Sequence, residues 1–479
     1  MSSNIKKGPP NLATDPINKL IWRFAIPGII SQTITAVYNL VDQIFIGRGV
    51  ADIAIGATNI CMPLTSVVTA SGALFGMGGA ACFSLAMGRK KEKRAGDVAG
   101  NAIILLWVIG FVLGVMTSIG LYPMLRAFGA NDEIMIYAVP YAKIICLGLP
   151  FGIFATGMSY FVRADGDPNY SMMILLSGAI FNFFADPLFL YVFRLGISGI
   201  ALATVLGQML SAGIALNYLI RRFRTITWKK EFFLLRGELA KDIVVSGSAI
   251  FATHVCAIIV QIIQNNSFKV YGEMSIYGSS IPFAAMGAVS KVNIMLMSAV
   301  IGIALSAQPI IGFNYGHKSY DRVKKTYLTV LRYNTIVSMF AFLCLQLFPR
   351  QIMSIFGSGN ELFYEFGTLY IRIFLMLLFA GGVLPTSSTF FTAIGKARIG
   401  MRLTLLKQVI LLIPLTLILP RFMGIKGVLA ASPMADGIIL LVLIVLVGKE
   451  LKDIDRLEKE KDDKSCCNSG SESCVRGHS

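Results

Sequence analysis

Three acidic residues, Asp42, Asp186 and Asp436, stand inside long apolar stretches. A charge held at mid-membrane costs at least about 2.5–3.5 kcal/mol on insertion scales. Acids retained at that cost are candidates for moving a proton or a cation. Asp42 falls in Asn39-Leu-Val-Asp42-Gln-Ile-Phe-Ile-Gly47, near the end of the first apolar run. Asn182 precedes Asp186 by four residues, which puts amide and carboxylate on one helix face. Asp186 is eight residues short of Arg194, and Thr204 is five residues past Gly199. Asp42, Asn182, Asp186 and Thr204 therefore fall in one layer and form a candidate proton or cation site. Asp436, about ten residues inside the last apolar run, is either a substrate contact or the partner of a cation such as Lys291.

These residues must be positioned by membrane-spanning elements. Hydrophobic residues make up 55% of 479 positions and charged residues 14%, a surface suited to lipid rather than water. Apolar runs cover about 18–46, 54–86, 98–121, 137–162, 171–193, 199–220, 242–270, 281–314, 327–347, 364–392, 402–419 and 426–448. They do not alternate as barrel strands do, and only helices or closed barrels satisfy the backbone in hydrocarbon. Several runs exceed the roughly 20 residues a span needs, which implies tilt or kinks. The expected fold is an all-α integral membrane protein with twelve transmembrane helices in two pseudo-symmetric six-helix bundles.

The net charge of +17 does not indicate nucleic acid, because the cations sit between apolar runs rather than on one surface. Arg89, Lys90, Lys91, Lys93 and Arg94 form the first basic loop; 221–241 holds seven Lys/Arg, and 317–325 and 396–407 hold four each. The alternating connections carry one or two. By the positive-inside rule both termini and the basic loops face the cytoplasm of a cell membrane. The polar start, with Pro9, Pro10 and Pro16, does not resemble a signal peptide. Cys61, Cys82, Cys146, Cys256 and Cys344 lie singly in apolar runs and imply no disulfide framework. Cys466, Cys467 and Cys474 lie in a polar tail expected to be disordered and without metal-ligand spacing.

At a shift of about 228 residues the chain matches itself: Gly88-Arg-Lys on Gly316-His-Lys, Phe128-Gly129 on Phe356-Gly357, Gly166 on Gly395, and Gly196-Ile-Ser-Gly199 on Gly424-Ile-Lys-Gly427. The shift covers six spans, so the halves share one orientation about an axis along the membrane normal. This divides the chain into an N-terminal segment 1–17, a first lobe 18–220, a basic linker 221–241, a second lobe 242–448 and a polar tail 449–479. The second half does not repeat the first-half acids: Asp42 matches the region of Ser267, Asn182 and Asp186 match the apolar run 410–414, and Thr204 matches Ser432. Polarity confined to one lobe indicates function rather than helix packing.

Gln32, Tyr38, Asn39, Thr156, Gln261, Gln264 and Asn265, together with Asp436, could line a central substrate cleft, although some polar groups merely bridge helices. Pro27 removes a backbone donor in the first span and is a candidate hinge or a passive kink. Lys143 and Arg372 occupy matching places near span ends, where long cations snorkel. Phosphate-binding loops, nucleophile elbows and zinc-peptidase motifs are absent, which disfavours an enzyme or an ATP-driven pump.

Together the motifs Asn39-Leu-Val-Asp42 with Ile46-Gly47, Gly88-Arg-Lys, Arg163-Ala-Asp-Gly-Asp-Pro168, Asn182 with Asp186-Pro187, and Ala307-Gln-Pro309 leading to Tyr315-Gly316 resemble the multidrug and toxic compound extrusion (MATE) family, over residues 15–448. The pattern is similar to the DinF- and MepA-like bacterial branch. The resemblance implies export of cationic or amphipathic small molecules in exchange for protons or sodium ions, with Asp42, Asn182, Asp186 and Thr204 as the coupling site. It implies no cofactor, no nucleic-acid partner, no metal beyond a possible sodium ion, and a monomer in the bilayer. Thr156 stands where such a site can present an amide, which favours the proton. The rival readings are a lipid-linked saccharide flippase, which should line its cleft with several cations, of which only Lys291 and Arg332 are candidates, and a non-transport scaffold.

Overall fold

A computed structural model describes residues 10–49, 52–128, 130, 132–278, 280–355 and 361–468, and among them only helices and turns occur. Eleven helices are long and apolar enough to cross a bilayer. A bent pair, Glu361–Phe374 with Leu378–Ala393 at 46°, makes the twelfth span. The protein is an all-helical, multi-pass membrane protein. Its lipid-facing sides carry exposed apolar residues such as Met116, Ile119, Phe184, Phe340 and Leu441, which only hydrocarbon can cover.

Each span is helical because its backbone has no other partner in hydrocarbon. Irregularity is confined to particular places. The fifth span, Pro168–Val192, ends in a π turn at Leu188–Val192 after Pro187, and the eleventh, Ala397–Met423, contains a π turn at Leu406–Leu412. The sequence suggests one continuous tenth span over 364–392; the structure breaks it between Phe374 and Val383, where Gly381 and Gly382 interrupt the apolar run.

The apolar cores do not follow the division of the chain into halves. Leu20, Ile21, Phe24 and Ala25, from the start of the first span, pack with Ile303, Ile310, Tyr327 and Phe390 of the second half. Trp22 lies against Tyr333, ring centroids 5.1 Å apart. Reciprocally, Leu239 and Ile243 at the start of the seventh span, Gly237–Glu273, pack in the core formed by Phe83, Phe154 and Phe161. The remainder of the first span, Ile17–Gly49, turns to the first half, where Tyr38 meets Asn182. Each half thus lends the other the beginning of its first helix.

Close approaches between the halves lie between mid-membrane and the face that carries the basic loops. A Cβ on Gly28 would meet Gly302 O at 2.9 Å, one on Gly247 would meet Leu74 O at 1.9 Å, and one on Gly88 would meet Phe313 O at 2.0 Å. Gln308 Nε2 donates to Met77 O at 2.9 Å across the same seam. Here the absence of a side chain is what lets two backbones touch.

The basic face is more ordered than its composition suggests. In the linker, Phe232 is buried under Gly96 and Gly100, and Arg236 pairs with Asp97 at 2.9 Å. Asp165 accepts from Tyr218 Oη at 2.7 Å and Thr225 Oγ1 at 2.6 Å; burial still raises its carboxyl above the ordinary carboxylate value, against the pull of these bonds. The tail expected to be disordered is instead helical as far as Asn468, continuing the twelfth span. Charge pairing explains the difference: Glu450 meets Lys396 at 2.5 Å, Asp455 meets Lys324 at 2.8 Å, and Glu458 accepts from the Tyr320 amide at 3.0 Å. The side chains of Cys466 and Cys467, and Cys474 as a whole, lie outside the described residues, as do residues 1–9.

Gly88→Ala should force the seam apart, at a cost of about 1–3 kcal/mol for overpacking. The thermal midpoint of the purified protein should fall, while Gly213→Ala, whose Cβ meets open space, leaves it unchanged. Equal midpoints would show that the seam does not depend on this contact.

Candidate functional site

Three of the four residues of the proposed coupling layer touch one another or Tyr38. Asn182 and Asp186 are buried on one face of the fifth span, and Thr204 faces them from the sixth span, Gly196–Arg221. The Asn182 amide lies 2.8 Å from Tyr38 Oη and 3.3 Å from Thr204 Oγ1, and 2.6 Å and 3.1 Å from the two Asp186 carboxylate oxygens. Amide nitrogen and oxygen have nearly the same shape, so the bonding decides the orientation. With nitrogen toward Asp186, Asn182 donates to the carboxylate and its oxygen accepts from Tyr38 and Thr204; the reverse sets the amide oxygen against carboxylate oxygens. We adopt the first orientation. Thr204 Oγ1 also lies 3.1 Å from Ile200 O, so its single proton has two possible acceptors.

Asp42 sits on the first span one turn beyond Tyr38, and its Oδ1 is buried with no hydrogen-bond partner among the described residues. The first span, which carries Asp42, packs against the fifth, which carries Asp186. The arrangement is a carboxylate held by an amide, a second carboxylate with an unused buried oxygen, and two hydroxyls that fix the amide. Such a group can take up and release a proton, because two neighbouring carboxylates do not both ionise freely.

Directly beside it lies a cavity of about 150 Å³. Tyr38, Asn182 and Thr204 form one wall, and Thr35, Thr156 and Gln208 contribute further polar groups. Sequence reasoning included Thr156 and Tyr38 but missed Thr35, Gln208 and Ser211. The signal was available: Gln208 and Ser211 follow Thr204 at helical spacing on the same face. Gln208 Oε1 is buried without a partner among the described residues, over the small faces of Gly148 and Gly152.

Other expected cleft residues do not line this cavity. Gln32 is half-buried on the first span. Gln261 Nε2 donates to Asn265 Oδ1 at 2.9 Å within one helix, and Gln264 is buried nearby. Asn39 is in the first helix, but its side chain lies outside those described. Pro27 sits inside an unbroken helix, Ile17–Gly49, followed by Gly28 at the contact with Gly302. Asp436 belongs to a separate cavity in the second half, and its cation is Lys407, at 2.5 Å, rather than Lys291. Lys407 reads as part of a loop when basic residues are counted by cluster, yet it lies ten residues inside the eleventh span. Among the described residues no group of three or more His, Cys, Asp or Glu is placed to hold a metal ion.

Twelve spans in two related halves, with buried acids in one of them, define a membrane transporter. A family model for MatE matches residues 27–188 and 256–418, one block in each half. The chain belongs to the MatE family; its members are transporters rather than enzymes and need no cofactor. The multidrug export protein MepA of Staphylococcus saprophyticus is 23% identical over 444 residues, covering 92% of this chain and 96% of that protein. MepA of Staphylococcus haemolyticus is 22% identical, covering 90% and 93%. Among solved structures, an outward-facing multidrug resistance MATE family transporter of the MOP superfamily shares the fold with a TM-score of 0.86 at 20% identity, over 93% of this chain and 98% of that one. A MOP superfamily transporter from Pyrococcus furiosus, described by a reverse polarity of its binding pocket, aligns with the same TM-score, identity and coverage.

Asn182→Ala removes the donor to Asp186 and should slow gradient-driven transport by roughly 10–100-fold, the worth of a charge-assisted hydrogen bond. Tyr38→Phe, which loses only a bond to the amide, should cost less than about tenfold. Initial rates in sealed vesicles test this order; its reversal would show that Asn182 is not the group that fixes the carboxylate.

Proposed function

We propose that this protein is a drug/proton antiporter that exports cationic or amphipathic small molecules by alternating access. The supporting observation is the buried Asp186–Asn182 contact, with Asp42 beside it, in one half of the molecule and next to a cavity. A sodium ion would need an oxygen cage, whereas Asn182 turns its nitrogen toward Asp186; this supports the proton as the coupling ion. The names of the MepA relatives support drugs as the cargo.

In this reading the basic loops and both termini face the cytoplasm, and the protein acts as a monomer in the cell membrane. Residues 18–220 and 242–448 are the two moving lobes, joined by 221–241. The seam at Gly28, Gly88 and Gly247 closes the cytoplasmic side, so the acid layer communicates with the outside. Protonation there removes the charge that holds a cationic substrate, and a bend near Pro27 carries the change along the first span. A saccharide flippase is disfavoured because, of the residues lining the first-half cavity and the one beside Asp436, the single cation, Lys407, is already paired with Asp436.

The test is efflux of a fluorescent cationic dye from energised vesicles, with proton and sodium gradients imposed separately. Wild type should export on the proton gradient, and Asp42→Asn and Asp186→Asn should each lose at least about 90% of the rate while remaining folded, since neither can then exchange a proton. Export on sodium alone would overturn the choice of ion. Unimpaired variants would overturn the site.

A further inference from the structure

The second half contains a cavity of about 350 Å³, within the range of small-molecule sites. Two irregular features and an acid meet around it. Its wall includes Phe374, Leu378 and Gly381 from the break in the tenth span, Lys407 from the π turn of the eleventh, and Asp436 from the twelfth. Broken backbone at membrane depth is tolerated where it is buried in protein or lines a cavity, and such breaks mark binding sites in transporters. π turns inside α-helices likewise concentrate at functional sites.

Lys407 and Asp436 lie ten and eleven residues from the ends of their spans, about 15 Å into the membrane at 1.5 Å per residue. Their side chains, 21% and 30% exposed, both line the cavity and meet at 2.5 Å. Helix packing does not require this pair. The repeat offset of about 228 residues carries Thr204 onto Ser432, Gln208 onto Asp436, and Gly178 beside Lys407. The first-half cavity, lined by Gly178, Thr204 and Gln208, is thus built on the same scaffold without charge. A buried ion pair is weak evidence of stabilisation, because apolar residues of similar volume often serve as well.

We propose that this second cavity binds amphipathic zwitterions, the ligand's anionic group replacing Asp436 on Lys407 and its ammonium replacing Lys407 on Asp436. The apolar body of the ligand lies against Phe374, Leu378 and Leu384. The physical argument is charge conservation at low dielectric. In the empty cavity the two residues satisfy each other. A ligand carrying only a cation would take Asp436 and strand Lys407 unpaired, and a purely anionic one would strand Asp436; both are costly. A zwitterion exchanges one neutral arrangement for another. The inference rests on the antiporter reading and adds a substrate class, separate from the proton site in the first half.

Two probes differing by one group test it: Nε-dansyl-lysine, a fluorescent amphipathic zwitterion, and dansylcadaverine, the same molecule without the carboxyl group. Wild type in detergent should bind Nε-dansyl-lysine saturably. Lys407→Met should weaken that binding by about 10–100-fold, as expected for one charge-assisted contact, while dansylcadaverine, whose ammonium can then take the unpaired Asp436 without stranding a lysine, should bind at least as tightly as before. The double variant Lys407→Met with Asp436→Leu keeps the cavity neutral and should fold even if the single variant does not; it should lose zwitterion binding to the same degree. No saturable zwitterion binding by wild type, unchanged affinity in either variant, or equal loss of both probes would overturn the proposal. Gradient-driven dansylcadaverine export by the same wild-type protein separates the two readings. If export persists while zwitterion binding fails, only this inference falls; if there is no export on either gradient, the antiporter reading falls first.

Discussion

Hydrocarbon offers no hydrogen bonds, and the structure follows from how each polar group in the membrane is answered. Twelve helical spans satisfy the backbone internally. The side chains that remain polar are held by partners within the helix or on a neighbouring one: Asp186 by Asn182 of the same helix, Asp436 by Lys407, and Gln308 by the Met77 carbonyl. Among the described residues, Asp42 Oδ1 and Gln208 Oε1, at or next to the first-half cavity, are buried without a partner, as are Ser84 Oγ, Asn334 Oδ1 and Ser338 Oγ elsewhere in the spans. Unanswered polarity in a bilayer is expensive, and at Asp42 and Gln208 it stands at or beside a cavity.

The two halves use one scaffold for different chemistry. Each has a cavity walled by equivalent stretches of its fifth and sixth helices. In the first half Asp186 is held by an amide that two hydroxyls fix, and Asp42 keeps a buried oxygen without a partner among the described residues. In the second the cavity holds a charge pair and is walled by a broken helix. On the proposed reading the repeats divide the labour: the acid layer of the first exchanges the proton against cationic cargo, while the charge pair of the second receives zwitterions.

Much of this was legible in the sequence because membrane insertion writes strong signals. Apolar runs marked the spans, Gly88-Arg-Lys against Gly316-His-Lys marked the repeat, and Asn182 four residues before Asp186 placed amide and acid together. Two kinds of feature were not legible. Lys407 was hidden because a cation ten residues inside a span continues a cluster that begins in a loop; only the helix boundary separates them. The order in residues 449–468 was missed because a charged tail reads as disordered until Lys324 and Lys396 are seen opposite its acids. The break in the tenth span carried a local sign in Gly381-Gly382, but glycine is common in transmembrane helices and does not mark a break by itself.

The exchange of Leu20, Ile21 and Phe24 into the core of the second half bears on how the chain is made. These residues are synthesised near the start, while Ile303, Tyr327 and Phe390, their neighbours in the finished protein, come about 300 residues later. At about 5–20 residues per second the first helix waits on the order of 15–60 seconds for its partners. In water an apolar stripe exposed for so long would invite aggregation. In a bilayer the wait costs little, because lipid tails are as apolar as the core that will replace them. Late docking of an early helix is an architecture that the membrane makes accessible, and it means that neither half reaches its native packing until the other has been translated.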